Sequence, residues 1–140
     1  MVGRSKELAT DKLKFFERIE EAAEWLGGVY LVHSNGAIQY VRNPLETVRT
    51  LCSVGPTKLV WQRVPIGTET RCEVQTSFLN DNGPGTSLAS KEKLVKYGRT
   101  WISEREFVQA HQGYRIVQRG PHPDERKRRS QATALRDCAR

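Results

Sequence analysis

Residues 27–41, Gly-Gly-Val-Tyr-Leu-Val-His-Ser-Asn-Gly-Ala-Ile-Gln-Tyr-Val, form two short β-rich runs on either side of one Asn-Gly pair. Asn-Gly readily takes the positive φ values that a tight reversal demands. The stretch therefore predicts an antiparallel hairpin, Val29 to His33 against Ala37 to Arg42.

What flanks this hairpin is mostly helical in pattern. From Thr10 to Leu26 the apolar residues Leu13, Phe16, Ile19, Ala23 and Leu26 recur at spacings of three and four with glutamates between them, an amphipathic helix that Gly27-Gly28 stops. After Asn43-Pro44 the series Leu45, Val48, Leu51 and Cys52 gives a second helix, ended by Gly55-Pro56. Lys58 to Val64 is a third strand between two prolines. Val74 and Phe78, four apart, predict a helix from Thr68 or Thr70 to about Leu79. Residues 80–87 read as a loop and 90–97 as a short basic helix. Ser103 and Glu106 stand at capping-box spacing and open a further helix. Tyr114 to Gln118 is a last strand candidate. The expected fold is α+β: a small three-stranded antiparallel sheet flanked by helices, with an extra N-terminal amphipathic helix and a basic C-terminal tail. The expected division is 1–27 for the N-terminal helix, 28–119 for the domain with an insertion at about 79–97, and 120–140 for the tail.

At 140 residues the chain suits one compact unit with extensions. No stretch is apolar for long enough to span a bilayer, and Arg4, Lys6 and Glu7 interrupt what would be a signal peptide. These features predict a protein that is not secreted and not in a membrane, but cytoplasmic or nucleoid-associated. Cys52, Cys72 and Cys138 are odd in number and include no CxxC pair, which excludes a disulfide framework and the usual zinc pattern. The formal charge is +7. Residues 1–26 carry five basic and six acidic side chains, whereas residues 86–140 carry thirteen basic and six acidic. A surplus so concentrated suits a polyanion, because Lys and Arg displace counterions condensed on phosphates.

With the elements in this order, the stretch from Gly28 resembles the GIY-YIG nucleases. "GVY", Gly28 to Tyr30, matches the first tripeptide of that family, and "YVR", Tyr40 to Arg42, matches the first two residues of the second. Downstream, Glu73, Gln75 and Phe78, then Trp101 and the Ser103 helix, follow the order found in the branch common in phages and mobile elements. The resemblance covers roughly residues 28–111. It departs from the family at Arg42, where the family has glycine, and in about fourteen extra residues between Phe78 and Trp101.

The resemblance implies phosphodiester hydrolysis assisted by Mg²⁺ or Mn²⁺. Glu73 would hold the cation, Tyr30 and Tyr40 would help deprotonate the attacking water, and an arginine would stabilise the anionic transition state. Aligned through Pro44, the arginine position falls on Thr47; counted from Tyr40 with one deletion, it falls on Arg49, about 200° away around a helix. Arg49 is the preferred assignment and Arg42 a substitute. Lys91, Lys93, Lys96 and Arg99 before Trp101, and the run Arg126, Lys127, Arg128 and Arg129, would hold the phosphate backbone without reading sequence. The expected function is nucleic-acid binding, DNA rather than RNA, with endonuclease activity if the motif is intact. The alternative is an inactive relative that binds nucleic acid or blocks a protein partner, the basic tail being the contact.

Overall fold

The computed structural model describes residues 5–78, 94–121 and 131–137, with backbone alone for residue 121 and for the last segment. Three α-helices occur among these residues: α1 (Ile19–Leu26), α2 (Pro44–Ser53) and α3 (Glu104–Ala110). Seven strands accompany them: β1 (Leu31–Asn35), β2 (Lys58–Val64), β3 (Ile66–Gly67), β4 (Arg71–Phe78), β5 (Leu94–Ser103), β6 (Tyr114–Pro121) and β7 (Gln131–Asp137). They make two sheets, ordered β1-β2-β7-β6 and β3-β5-β4. The fold is α+β with mixed sheets, not one three-stranded antiparallel sheet. Among the described residues no helix is long and apolar enough to cross a membrane.

The predicted hairpin is absent. β1 pairs in parallel with β2, Leu31 opposite Lys58 and Asn35 opposite Gln62, and residues 36–57 supply the crossover that parallel strands require. Gly36 does take a positive φ of 61°, but its N–H donates to the Gln62 carbonyl at 2.9 Å, so the turn ties β1 to β2 instead of folding it back. The following run fails as a strand because its burial does not alternate: Ile38 and Gln39 are both buried while Ala37, Tyr40 and Val41 are exposed. Consecutive buried residues suit a 3₁₀ turn, which Ile38–Tyr40 forms.

α2 matches its expectation. Pro44 fills the first turn, the Asn43 Nδ2 donates to Glu46 at 2.9 Å, and Val48 is fully buried. α1 is shorter than predicted: Thr10 and Leu13 exchange backbone hydrogen bonds, Thr10 N–H to the Leu13 carbonyl at 2.8 Å and Leu13 N–H to the Thr10 carbonyl at 3.3 Å, which closes a tight turn instead of a helix. None of the α1 side chains is buried, although Phe16 packs on Trp25 at 5.7 Å.

Two expected helices are strands. A spacing of four returns a side chain to the same face in either element, so Val74 and Phe78 are compatible with both. The burial pattern decides: Glu73, Gln75 and Ser77 are half-buried, and Cys72, Val74, Thr76 and Phe78 are exposed. β4 pairs antiparallel with β5, which also overrides the short basic helix expected at 90–97. Nor is the C-terminal segment a detached tail, since β7 lies between β2 and β6, with Leu135 opposite Leu59 and Ile116. A truncation at residue 120 would remove an inner strand, so it cannot test the tail as a separate protein contact.

The core gathers Ile38, Val48, Leu59, Trp61, Val64, Ile102, Phe107 and Ala110. Trp61 is edge-on to Phe107 at 5.6 Å and to His111 at 5.5 Å. His111 is 3% exposed and its Nδ1 lies 2.6 Å from the Phe107 carbonyl, which fixes Nδ1 as the protonated nitrogen. Burial lowers its pKa, partly countered by that bond. Above the ordinary value of 6.5 the ring is neutral in both folded and unfolded chains. As pH falls below it, the unfolded chain binds a proton that the buried ring refuses, so stability declines. His111→Phe should flatten the loss of urea stability between pH 6.5 and the carboxylate range; an unchanged slope would show that His111 is not its source.

Candidate nucleic-acid interface

β4 and β5 form a ribbon whose two faces differ. Directly opposed residues share a face, so Arg71 and Trp101, Glu73 and Arg99, and Gln75 and Tyr97 are three successive pairs on the side turned toward the Ile38–Tyr40 turn. Tyr40 closes that side: its hydroxyl donates to Gln75 Oε1 at 3.3 Å and its ring meets Tyr97 edge-on at 5.5 Å. The other face carries Cys72, Val74, Thr76, Phe78, Leu94 and Lys96 into solvent.

Trp101 organises the charges. The guanidinium of Arg99 stands 5.1 Å from the indole ring and that of Arg71 at 5.8 Å, within cation–π range. Arg99 Nη1 is also 3.9 Å from Glu73 Oε1, close enough for an ion pair but too long for a hydrogen bond. Arg99 Nε is shielded from solvent and has no partner. Among the described residues neither Arg71 nor Arg99 makes a side-chain hydrogen bond, so the two guanidinium groups beside the indole keep their donors unspent.

The structure thus brings together Tyr40, Glu73 and Arg99 of the predicted site residues, and it separates the others. Tyr30 precedes β1 at the far end of the first sheet, where Lys58 donates to its hydroxyl at 2.8 Å and stands 5.0 Å from its ring. The second sheet joins at the opposite end of β2, through Pro65 and β3, about 20 Å away along the strand. Arg49 is exposed on α2, one residue after buried Val48, and Thr47 bonds back to the Asn43 carbonyl at 3.0 Å. Arg42 is exposed just after the 3₁₀ turn, and Lys96 faces away from Arg99 across the ribbon. Lys91, Lys93, Arg126, Lys127, Arg128 and Arg129 lie outside the described residues. Arg71 and Tyr97 are not among the sequence candidates because the pattern predicts helices from Thr68 or Thr70 to about Leu79 and over 90–97. The signal was there as alternation: Arg71, Glu73 and Gln75, and Tyr97, Arg99 and Trp101, are polar or aromatic at every second position.

Glu73 fits poorly as a ligand for Mg²⁺ or Mn²⁺. Its carboxylate already faces a guanidinium, and among the described residues no three His, Cys, Asp or Glu side chains converge. A separate open cleft of about 780 Å³ lies between Ile66–Thr68 and the outer side of α3. Glu104 pairs there with Arg119, which lowers the Glu104 pKa through that hydrogen bond, and none of the predicted site residues lines it.

No family model, curated protein or solved structure matches the chain. The ribbon geometry makes its own prediction. Glu73 is 40% exposed, so Glu73→Ala should cost under about 1 kcal/mol. Trp101→Ala, which removes the platform between two arginines, should cost about 2–3 kcal/mol. Equilibrium urea unfolding compares them, and equal losses would contradict the indole-centred arrangement.

Proposed function

We propose that the protein binds nucleic acid, DNA in the first instance, by phosphate contacts from the Arg71–Trp101–Arg99 cluster. The observation that carries the reading is the pair of guanidinium groups fixed on one indole with their hydrogen-bond donors unspent. A guanidinium offers two parallel N–H groups to phosphate oxygens, and prior alignment on an aromatic ring reduces the entropy lost on binding. The formal charge of +7 favours the approach of any polyanion. Glu73 then acts as a tether that keeps Arg99 in place and competes with phosphate for it.

Metal-assisted hydrolysis is the second reading, and what favours it is that Tyr40 contacts Gln75 two residues from Glu73 on one face. It requires Glu73 to exchange Arg99 for a cation, and it proceeds without Tyr30 or Arg49 at that face.

Fluorescence anisotropy with labelled 20-mers of duplex DNA, single-stranded DNA and RNA, repeated across salt, tests the binding reading. The logarithm of affinity should fall linearly with the logarithm of salt concentration. Arg71→Ala with Arg99→Ala should reduce the magnitude of that slope by about 1.4–1.8, the release of two phosphate contacts. Glu73→Gln should tighten binding if Glu73 competes with phosphate. Under the hydrolytic reading it should instead abolish cleavage in Mg²⁺ or Mn²⁺. Absence of binding by the wild type at 50 mM salt, or an unchanged slope in the double variant, would sink the proposal.

A further inference from the structure

Strand β2 contains an arginine where the backbone calls for glycine. Leu59 and Trp61 are fully buried, and strict alternation would put Arg63 next in the core; Val64 takes that place instead. The pairing with β7 shows how. Trp61 lies opposite Thr133 and Val64 opposite Gln131, three steps on β2 against two on β7, so β2 holds one extra residue. That is a β-bulge, and its left-handed position belongs to Arg63, with φ of 56°. Among the described residues Arg63 is the one non-glycine with positive φ.

Glycine would satisfy this backbone with less strain. The side chain that occupies it lies against Gly36. The Gly36 N–H bonds to the Gln62 carbonyl, and a methyl group on Gly36 would lie 3.1 Å from Arg63 Nη2 and 3.2 Å from Nε. The guanidinium is therefore laid across the open backbone of Gly36. Among the described residues it has no ion pair and no hydrogen bond, and the residue is exposed. Four residues further along, the chain that begins at Gly36 delivers Tyr40 to the ribbon face.

We infer that Arg63 is an oxyanion-binding residue whose ligand is a phosphate group, placed outward by the bulge at the expense of backbone comfort. Phosphate suits it because the exposed guanidinium presents paired N–H donors that no group among the described residues takes up. Where the anion is a backbone phosphate of nucleic acid, the inference rests on the binding reading above and extends that interface to the end of β2. The chemistry alone also admits free inorganic phosphate or pyrophosphate.

Arg63→Gly separates function from structure, because it relieves the positive φ while deleting the charge. It should raise the melting temperature by about 3 °C. It should also weaken DNA binding and lower the salt slope by about 0.7–0.9, one phosphate contact. Arg63→Lys should keep most of the slope but lose affinity with the paired donors. A parallel titration uses inorganic pyrophosphate, followed by heteronuclear NMR of the Gly36 amide. A wild-type shift that Arg63→Gly abolishes supports the anion site whether or not DNA binds. If DNA binds the wild type and Arg63→Gly equally, and pyrophosphate moves the Gly36 amide in neither, the inference is overturned while the ribbon reading stands. If neither probe binds the wild type, both fall.

Discussion

The burial of Trp61 is the constraint around which the rest is arranged. Its strand is flanked by β1 on one side and β7 on the other, and its ring meets Phe107 and His111 from the α3 end of the chain. α3 reaches that position because Ser103 ends β5 and begins the helix in one step. The Ser103 N–H donates to Thr70 Oγ1 at 2.9 Å, and the Thr70 hydroxyl donates in turn to Glu106. Thr70 stands immediately before β4, so the same hydrogen bonds that start α3 also anchor the ribbon. The core and the candidate interface therefore share one hinge of polar contacts. Full burial of a side chain as large as Trp61 contributes on the order of 2–3 kcal/mol, which is a sizeable fraction of the net stability of a domain this size.

From that arrangement follows the division of labour between the sheets. The first is closed around the core by α2 and α3, and its inner strand is completed from near the chain's end by β7. The second is a ribbon of which only the Ser103 end is built into the core; the remainder places polar and aromatic side chains on the Tyr40 side and a mixture, with exposed Val74, Phe78 and Leu94 beside Thr76 and Lys96, on the other. A ribbon so placed has weaker demands on side-chain shape than a core strand has, so it can carry guanidinium groups and indole together. The under-used donors of exposed Arg71 are tolerable there because water reaches them, whereas Arg99 Nε, shielded and unpartnered, carries a desolvation penalty.

The elements legible in the sequence were those whose signals were local. Pro44 at the helix start, Gly55 at φ of 69° after its end, and Ser103 as an N-cap each fix a boundary within a few residues, and α2, β2 and α3 agree with them. What escaped was pairing. Asn35-Gly36 promises a reversal, and Gly36 does adopt the left-handed backbone; which strand β1 then pairs with is decided by Ile38 and Gln39 being buried together, a tertiary fact. The glutamate-and-aromatic pattern from Glu73 to Phe78 likewise predicts a helix where a strand forms, because spacings of four do not discriminate strand from helix. Of the candidate site, Tyr40, Glu73 and Arg99 share one face of the ribbon, whereas the tie between Tyr30 and Tyr40 depends on a hairpin that does not form.

The bulge in β2 illustrates the same principle from the other side. Leu59, Trp61 and Val64 are all buried and so break the period of two, and the register with β7 shows the residue gained between Trp61 and Val64. The residue gained has to leave the sheet plane, and both Gln62 and Arg63 are available for it. Gln62 is committed, since its carbonyl accepts from Gly36 and its side chain meets His33 at 3.2 Å. Arg63 is left to take the positive φ, and the strain it accepts is local and offset by the burial of Val64 that it permits. The end of this long cation rests against the neighbouring glycine, Gly36, where an added methyl group would press to 3.1 Å from Nη2. The two glycine-like sites are thus one device: the open backbone at Gly36 makes room for the arginine that the bulge turns outward.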